Sequence, residues 1–255
     1  MDQPSGMIAI VTGAARGIGD ATARRLHQDG YRVVAVDILE ANSVTPPTGM
    51  NSYEFIRCDV ANEVSVRSLV DQVVTRYGQI DVLANIAGVV LVKPLIETDW
   101  SEFQRIVNIN LGGIFLLLKY VLPVMQKQRR GSVVNMASVS GHVGQVNHSI
   151  YGATKAAVIG LCHGLAWEMA PYNIRINSVS PGSVDTAMLC GDVEIESKQT
   201  GKSFAETRKI REAEQALGRW AKPQEVAAAV AFLASDEASF ITGTDLLVDG
   251  GWVAR

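Results

Sequence analysis

The stretch TGAARGIG, Thr12 to Gly19, follows the apolar, β-branched run MIAIVT (Met7 to Thr12) and leads into a helical pattern over Gly17 to Asp29, closed by Gly30. Strand, glycine turn and helix in that order predict a junction open to a phosphate. Glycines there permit left-handed backbone angles, and the free N–H groups and dipole of the helix N-terminus favour an anion. The spacing is G-x-x-x-G-x-G rather than the commoner G-x-G-x-x-G. Taken alone, Gly13, Arg16, Gly17, Ile18 and Gly19 therefore read either as a pyrophosphate cradle or as a plain tight turn.

The rest of the chain repeats the pattern. Strand-like runs fall at Arg32–Val36, Tyr53–Arg57, Ile80–Ala84, Ser132–Met136, Arg175–Val179 and Asp245–Val248, several of them apolar throughout, as for strands buried on both faces. Helical patterns lie between them. One covers Asn62 to Tyr77, with Asn62 as N-cap and Gly78 beyond its end, and others cover Asp99–Gln128, Tyr151–Ala170 and Pro223–Ser235. This alternation predicts an α/β fold, a single Rossmann-type, doubly wound parallel sheet of about seven strands with helices on both faces, over 1–255. Ligands of such sheets lie beyond the carboxyl ends of the strands, so the strand-to-helix junctions are where chemistry is expected.

Bulk properties narrow the function. The chain has 255 residues, 47% hydrophobic and 19% charged, with a net charge of −3. Nucleic acid is excluded as a partner, because the only basic cluster, Lys127 to Arg130, reads as a helix C-terminus. Cys58, Cys162 and Cys190 have neither disulfide-framework nor zinc-site spacing, and no metal cluster is visible. The start MDQPSGMIAIVTG lacks a signal-peptide pattern, and the greasiest run, Leu111 to Leu118, stops at Lys119, well short of a span. A cytoplasmic protein without membrane contact is expected.

The second strand ends in Asp37, followed by Ile38, eighteen residues beyond Gly19. A carboxylate there reaches the adenosine ribose hydroxyls of NAD and repels the extra phosphate of NADP, whereas Arg16 would pair with that phosphate. NAD is the expected cofactor and NADP the less favoured one. Asp59 and Val60, after the third strand, either meet the adenine edge or cap the next helix. In DVLANIAG, Ala87 and Gly88 would let a flat ring pack against the strand end. Asn110, inside an apolar helical pattern and before Gly112-Gly113, predicts a kink. It either bonds the freed backbone groups or holds a water for proton relay.

Tyr151 and Lys155 in YGATK share one helical face. An ammonium one turn away, together with a cationic nicotinamide, would lower a phenol pKa that is normally near 10. Ser138 closes the fifth strand, and the glycine and polar residues after it allow a loop back to Tyr151. Tyrosine as acid/base, lysine beside it and serine on the substrate oxygen make an acid–base site.

With these residues the chain resembles the short-chain dehydrogenases/reductases, in their form of about 250 residues, over nearly its whole length. The resemblance rests on TGAARGIG, NIAG at Asn85 to Gly88, Asn110, Ser138, YGATK, SPGSVDT at Ser180 to Thr186 and ITGTDLLVDGG at Ile241 to Gly251. It implies Tyr151 as general acid/base, Lys155 and Ser138 assisting, and Asn110 positioning a water. It also implies that Asn85 belongs to the cofactor contacts and that Pro181, Gly182, Val184 and Thr186 flank the nicotinamide. Homo-oligomers, often tetramers, are implied too, through the helices Asp99–Gln128 and Tyr151–Ala170. Ile86 departs from the family, which often has a second asparagine there.

The substrate is less legible. Asp185 to Leu217, charged with both signs, has the composition of a flap, and its charges read as a solvated helical face. Ser140, His142, Gln145, Asn147 and His148 would line a polar pocket suited to a polyol, sugar, sugar acid or hydroxy acid. Lys93 reads as a surface lysine and Trp100 as a core tryptophan. The expected activity is NAD-dependent oxidation of a small polar secondary alcohol. The alternatives are a 3-oxoacyl thioester reductase using NADPH and, in another class, a non-catalytic NAD-binding regulator.

Overall fold

A computed structural model describes residues 6–40 and 52–254. Residues 1–5, where the N-terminal stretch begins, lie outside them. Strand β1, Ile8–Thr12, shows how the sequence builds two cores at once: Ile8 and Ile10 enter one apolar layer, Ala9 and Val11 the other. Side chains alternate across a strand, so an unbroken apolar run requires cover on both faces. β2 (Arg32–Asp37), β3 (Tyr53–Arg57), β4 (Val82–Asn85), β5 (Gly131–Met136), β6 (Ile174–Pro181) and β7 (Asp245–Val248) complete a parallel sheet in the order β3-β2-β1-β4-β5-β6-β7.

Helices α1 (Gly17–Gln28) and α8 (Pro223–Ala234) cover one face. Helices α2 (Glu63–Tyr77), α4 (Gly113–Gln128) and α5 (Ser149–Met169) cover the other. The expected caps are present: Asn62 accepts a hydrogen bond from Ser65 N at 3.0 Å, and Gly78 ends α2 with φ 73°. Strand order reverses between β1 and β4, and β1 delivers the glycine turn to that switch point.

Three stretches differ from the sequence expectation. The helix expected over Asp99–Gln128 is α3 (Trp100–Val107), a π turn at Asn108–Gly112, and then α4, so the predicted kink takes the form of one wide turn. By length and composition Trp100–Gln128 is apolar enough to cross a membrane, yet Ile114, Leu117, Val121 and Met125 pack it into the core. Within 185–217, expected as a flap with a solvated helical face, two helices form, α6 (Ala187–Thr200) and α7 (Phe204–Ala213), each started by a side-chain cap, Thr186 and Ser203, and carrying buried Asp192 and Arg211. Trp100 is 70% exposed and stacks on Phe103 instead of entering the core, because it sits on the solvent side of the first turn of α3.

The basic cluster does end a helix. α4 stops at Gln128, Arg129 turns left-handed and donates to Pro171 O, and Arg130 pairs with Asp81.

Candidate active site

The carboxyl ends of the strands border a cleft of about 490 Å³. At one end is the glycine turn. Gly13 and Gly17 have φ 67° and 60°, a region costly for residues with a side chain. A Cβ on Gly19 would lie 1.9 Å from Gly13 O, and one on Gly13 would lie 3.0 Å from the Ala87 backbone. The turn is thus folded against itself and against the end of β4. Thr12 Oγ1 fixes that contact by accepting from Ile86 N and Ala87 N at 3.0 and 3.1 Å. Arg16, at the N-cap of α1, makes no side-chain cap and lines the cleft, so no side chain of its own occupies the amides of the first turn.

Asp37 is held beside this turn. Its carboxylate accepts from Ala15 N at 3.0 Å and from Leu39 N at 3.2 Å, and with Ile38 it lines the cleft. Asp59 lines the cleft with Val60 and accepts from Ala61 N at 3.0 Å in the turn before α2, whose cap is Asn62 and not Asp59. Ala87, Gly88, Pro181, Gly182, Val184 and Thr186 line it as well. The glycine cradle, the uncapped helix start and a fixed carboxylate fit a nicotinamide dinucleotide.

Two expected residues stand elsewhere. Asn85 does not line the cleft: it is 1% exposed and donates to Asn135 Oδ1 at 2.8 Å, beneath the sheet end. The amide is turned into the core by strand alternation, since its neighbour Ile86 already leaves the strand. Asn110 is fully buried. Its Oδ1 accepts from Val89 N at 2.9 Å while its Nδ2 donates to Val89 O at 2.9 Å and Thr154 Oγ1 at 3.2 Å. The π turn thus ties Asn110 to the backbone of Val89, in the loop after β4.

Ser138, Tyr151 and Lys155 do come together on the cleft wall. β5 delivers Ser138, whose hydroxyl accepts from Ser140 N at 3.2 Å and hydrogen-bonds the Tyr151 phenol. α5 stacks Tyr151 over Lys155, with the ammonium 5.7 Å from the ring centroid. Lys155 is 3% exposed and donates to Met136 O at 2.7 Å. Burial pulls its pKa down to about 8.

The ammonium alone does not produce the lowering expected of it together with a cationic nicotinamide. In the protein by itself the Tyr151 phenol is not lowered but pushed up to about 12, chiefly by burial; the Ser138 hydrogen bond works against this and the charge of Asp192 adds to it. The ammonium does not reverse the shift because it is tied back to the Met136 carbonyl rather than to the phenol oxygen.

The polar loop after Ser138 splits in two. Ser140, Gln145 and His148 line the cleft. His142 lies 2.7 Å from Asp245 and Asn147 donates to Gln199 at 3.1 Å, both away from it. Lys93 pairs with Glu102 outside it. The cleft is completed by residues the sequence reading did not single out: Met188, Leu189 and Asp192 of α6, Arg211 of α7, Arg105 of α3, and Trp252. The only local signal was the capping box Ser203–Glu206, which announces a helix over the residues reaching Arg211.

A doubly wound sheet with a phosphate-type turn and a Ser–Tyr–Lys group at its switch point is the architecture of a nucleotide-dependent enzyme. The family model described as enoyl-(acyl carrier protein) reductase, a short-chain alcohol dehydrogenase model, matches residues 13–253. A cis-4-hydroxycyclohexanecarboxylate dehydrogenase of Sinomonas cyclohexanicum is 41% identical over 97% of this chain and 96% of its own. A 3-oxoacyl-(acyl-carrier-protein) reductase of Thermotoga maritima is 38% identical over 97% and 98%. Among solved structures, the ligand-free aldohexose dehydrogenase of Thermoplasma acidophilum superposes with TM-score 0.88 at 38% identity, over 98% of this chain and 95% of that one. The chain belongs to the short-chain dehydrogenase/reductase family, oxidoreductases that bind nicotinamide cofactors.

Proposed function

We propose that this chain is an NAD-dependent dehydrogenase of a small secondary alcohol, with Tyr151 as general acid/base. The observation that carries the reading is the meeting of Ser138, Tyr151 and Lys155 on the wall of the same cleft that holds the glycine turn and Asp37. Gly13, Gly17, Ile18 and Gly19 with the first turn of α1 hold the pyrophosphate, and Asp37 takes the ribose hydroxyls. Bound there, the oxidised nicotinamide supplies the hydride acceptor and a positive charge. Tyr151 accepts the substrate hydroxyl proton. Ser138 donates to the substrate oxygen and keeps it within reach of the phenol. Lys155 would hydrogen-bond the nicotinamide ribose, and its charge together with that of the oxidised nicotinamide would favour the phenolate against the effect of burial. Asn110 acts as a positioning residue, fixing the Val89 backbone and packing against Gly88, where a Cβ would meet Asn110 Oδ1 at 3.2 Å and Lys155 Nζ at 3.7 Å.

The substrate proposed is a hydroxylated ring or polyol. The polar wall of Ser140, Gln145 and His148 faces Met188, Leu189 and Trp252 across one cleft, which suits a compact molecule with a polar edge and an apolar body. The names of two relatives point the same way, one a hydroxycyclohexanecarboxylate dehydrogenase and one an aldohexose dehydrogenase. A second reading, reduction of a 3-oxoacyl thioester with NADPH, is favoured by the exposed Arg16 in the cleft and by the Thermotoga relative. The cytoplasm is the proposed setting, with no membrane or nucleic-acid partner.

Initial rates with NAD⁺ and with NADP⁺, on polyols, sugars, sugar acids, hydroxy acids, simple secondary alcohols and 3-hydroxyacyl thioesters, test this. NADH formation from a small hydroxylated compound is the expected result. Turnover confined to thioesters with NADP⁺ would establish the second reading instead.

A further inference from the structure

On the wall next to Tyr151, most polar groups already have partners. Ser138 Oγ accepts from Ser140 N, Ser140 Oγ donates to Gln145, and His148 Nδ1 lies 2.7 Å from Val146 O. Asp192, delivered by α6, is different. Its Oδ2 is shared between His148 Nε2 at 3.3 Å and Arg211 Nη2 at 3.6 Å. Its Oδ1 is buried and, among the described residues, has no hydrogen-bond partner, although the residue is only 6% exposed and lines the cleft. Leaving a buried carboxylate oxygen unpaired is costly, and on a residue that lines the cleft it marks a carboxylate that gains a partner by turning toward a ligand there.

The site is close to the reacting group. The His148 ring stands edge-on to Tyr151 with centroids 6.3 Å apart, and the Asp192 charge acts on the Tyr151 phenol. An ionised carboxylate only accepts, so its missing partner is a donor. The Arg211 guanidinium, itself 6% exposed and bonded through Nε to Glu196 at 2.8 Å, already faces the other oxygen. Arg211 is shared among Asp192, Glu196 and Glu214, and a neutral hydroxyl satisfies Oδ1 without bringing a further charge out of water.

We propose that Asp192 is a specificity-determining residue that accepts a hydrogen bond from a second hydroxyl of the substrate, selecting diols and polyols over monohydric alcohols. This rests on the alcohol-dehydrogenase reading above. His148 and Arg211 are positioning residues that fix the carboxylate. The tyrosine handles one hydroxyl and the aspartate reads another.

The test compares kcat/KM for cyclohexanol, the isomeric cyclohexanediols, aminocyclohexanol and hydroxycyclohexanecarboxylate, in wild type, Asp192→Ala and Asp192→Asn. NADH binding by fluorescence shows that each variant is folded. A hydrogen bond to a charged acceptor corresponds to a preference of about 10- to 100-fold. Wild type is expected to favour the best diol over cyclohexanol by that factor. The ratio should collapse toward one in Asp192→Ala and fall partway in Asp192→Asn, whose amide oxygen still accepts. Should Asp192→Ala fail to bind NADH, the ratio in Asp192→Asn decides. Turnover of cyclohexanol with a diol ratio that is near one in wild type, or unchanged in the variants, overturns the role of Asp192 and leaves the dehydrogenase reading standing. A wild-type preference for aminocyclohexanol or hydroxycyclohexanecarboxylate over every diol overturns it as well. Turnover of none of these alcohols with either cofactor removes both.

Discussion

Lys155 carries an ammonium into a buried place where Met136 O accepts a hydrogen bond from it, and burial lowers its pKa from 10.5 to about 8. The unfolded chain keeps that proton up to the ordinary value, so between pH 8 and 10.5 it binds more protons than the folded chain. Stability therefore rises with pH across that window, and below it the buried charge costs about 3 kcal/mol. Lys155→Met removes the cost and loses one hydrogen bond worth about 1 kcal/mol. The cofactor-free variant is expected to melt about 5 °C higher than wild type at neutral pH, with the gain disappearing toward pH 10.5. Thermal unfolding followed by circular dichroism over that range checks it. Asp37 offers a second test of a single group. With its carboxylate removed and Arg16 kept, Asp37→Ala should shift the NAD⁺/NADP⁺ ratio of kcat/KM toward NADP⁺ by about 10- to 100-fold. An unchanged ratio would mean that the carboxylate does not select the cofactor.

Among the elements, the π turn at Asn108–Gly112 shows what a polar residue in an apolar helix signals. Asn110 accepts from and donates to the same residue, Val89, at 2.9 Å each. Asn110→Ala would strand the half-buried N–H and C=O of Val89 together, a loss of about 2 kcal/mol measurable by urea unfolding. A loss below 1 kcal/mol would show that the pairing contributes little. The kink was legible because asparagine and a glycine pair interrupt an apolar run within four residues. The glycine turn, the caps of α2 and the Tyr–Lys face were legible for the same reason, since their determinants lie within one turn or one junction. Residues 185–217 were not. Mixed charges look alike on a solvated face and on one folded over a cleft, and the burial of Asp192 and Arg211 is set by where α6 and α7 dock. Asn85 misled for a related reason: the motif located it at the strand end, but strand alternation turned its amide inward.

On the scale of the whole molecule, α5 presents Ala153, Ala156, Gly160, His163, Gly164 and Trp167 outward at helical spacing, and Trp167 is 86% exposed. Phe115 on α4 is 55% exposed. Small residues with an aromatic anchor on an open helix face suit close packing against another helix. We propose that the chain assembles as a homo-oligomer, a tetramer or dimer, through α4 and α5. Trp167→Glu is then expected to lower the sedimentation coefficient to that of a smaller species, and an unchanged coefficient would place the interface elsewhere.

The sheet order places the glycine turn of β1 and the Ser138 end of β5 on either side of β4, so that one cleft joins that turn to Ser138, Tyr151 and Lys155. The central claim is that Tyr151 moves the proton in this cleft. The most direct measurement is Tyr151→Phe, with alcohol turnover followed by NADH formation and NADH binding followed by fluorescence on the same preparation. The account predicts turnover reduced at least a thousandfold, on the order of the contribution of a general acid/base, with the NADH dissociation constant changed by less than about threefold, consistent with loss of the phenol group alone. Turnover near the wild-type rate would contradict it.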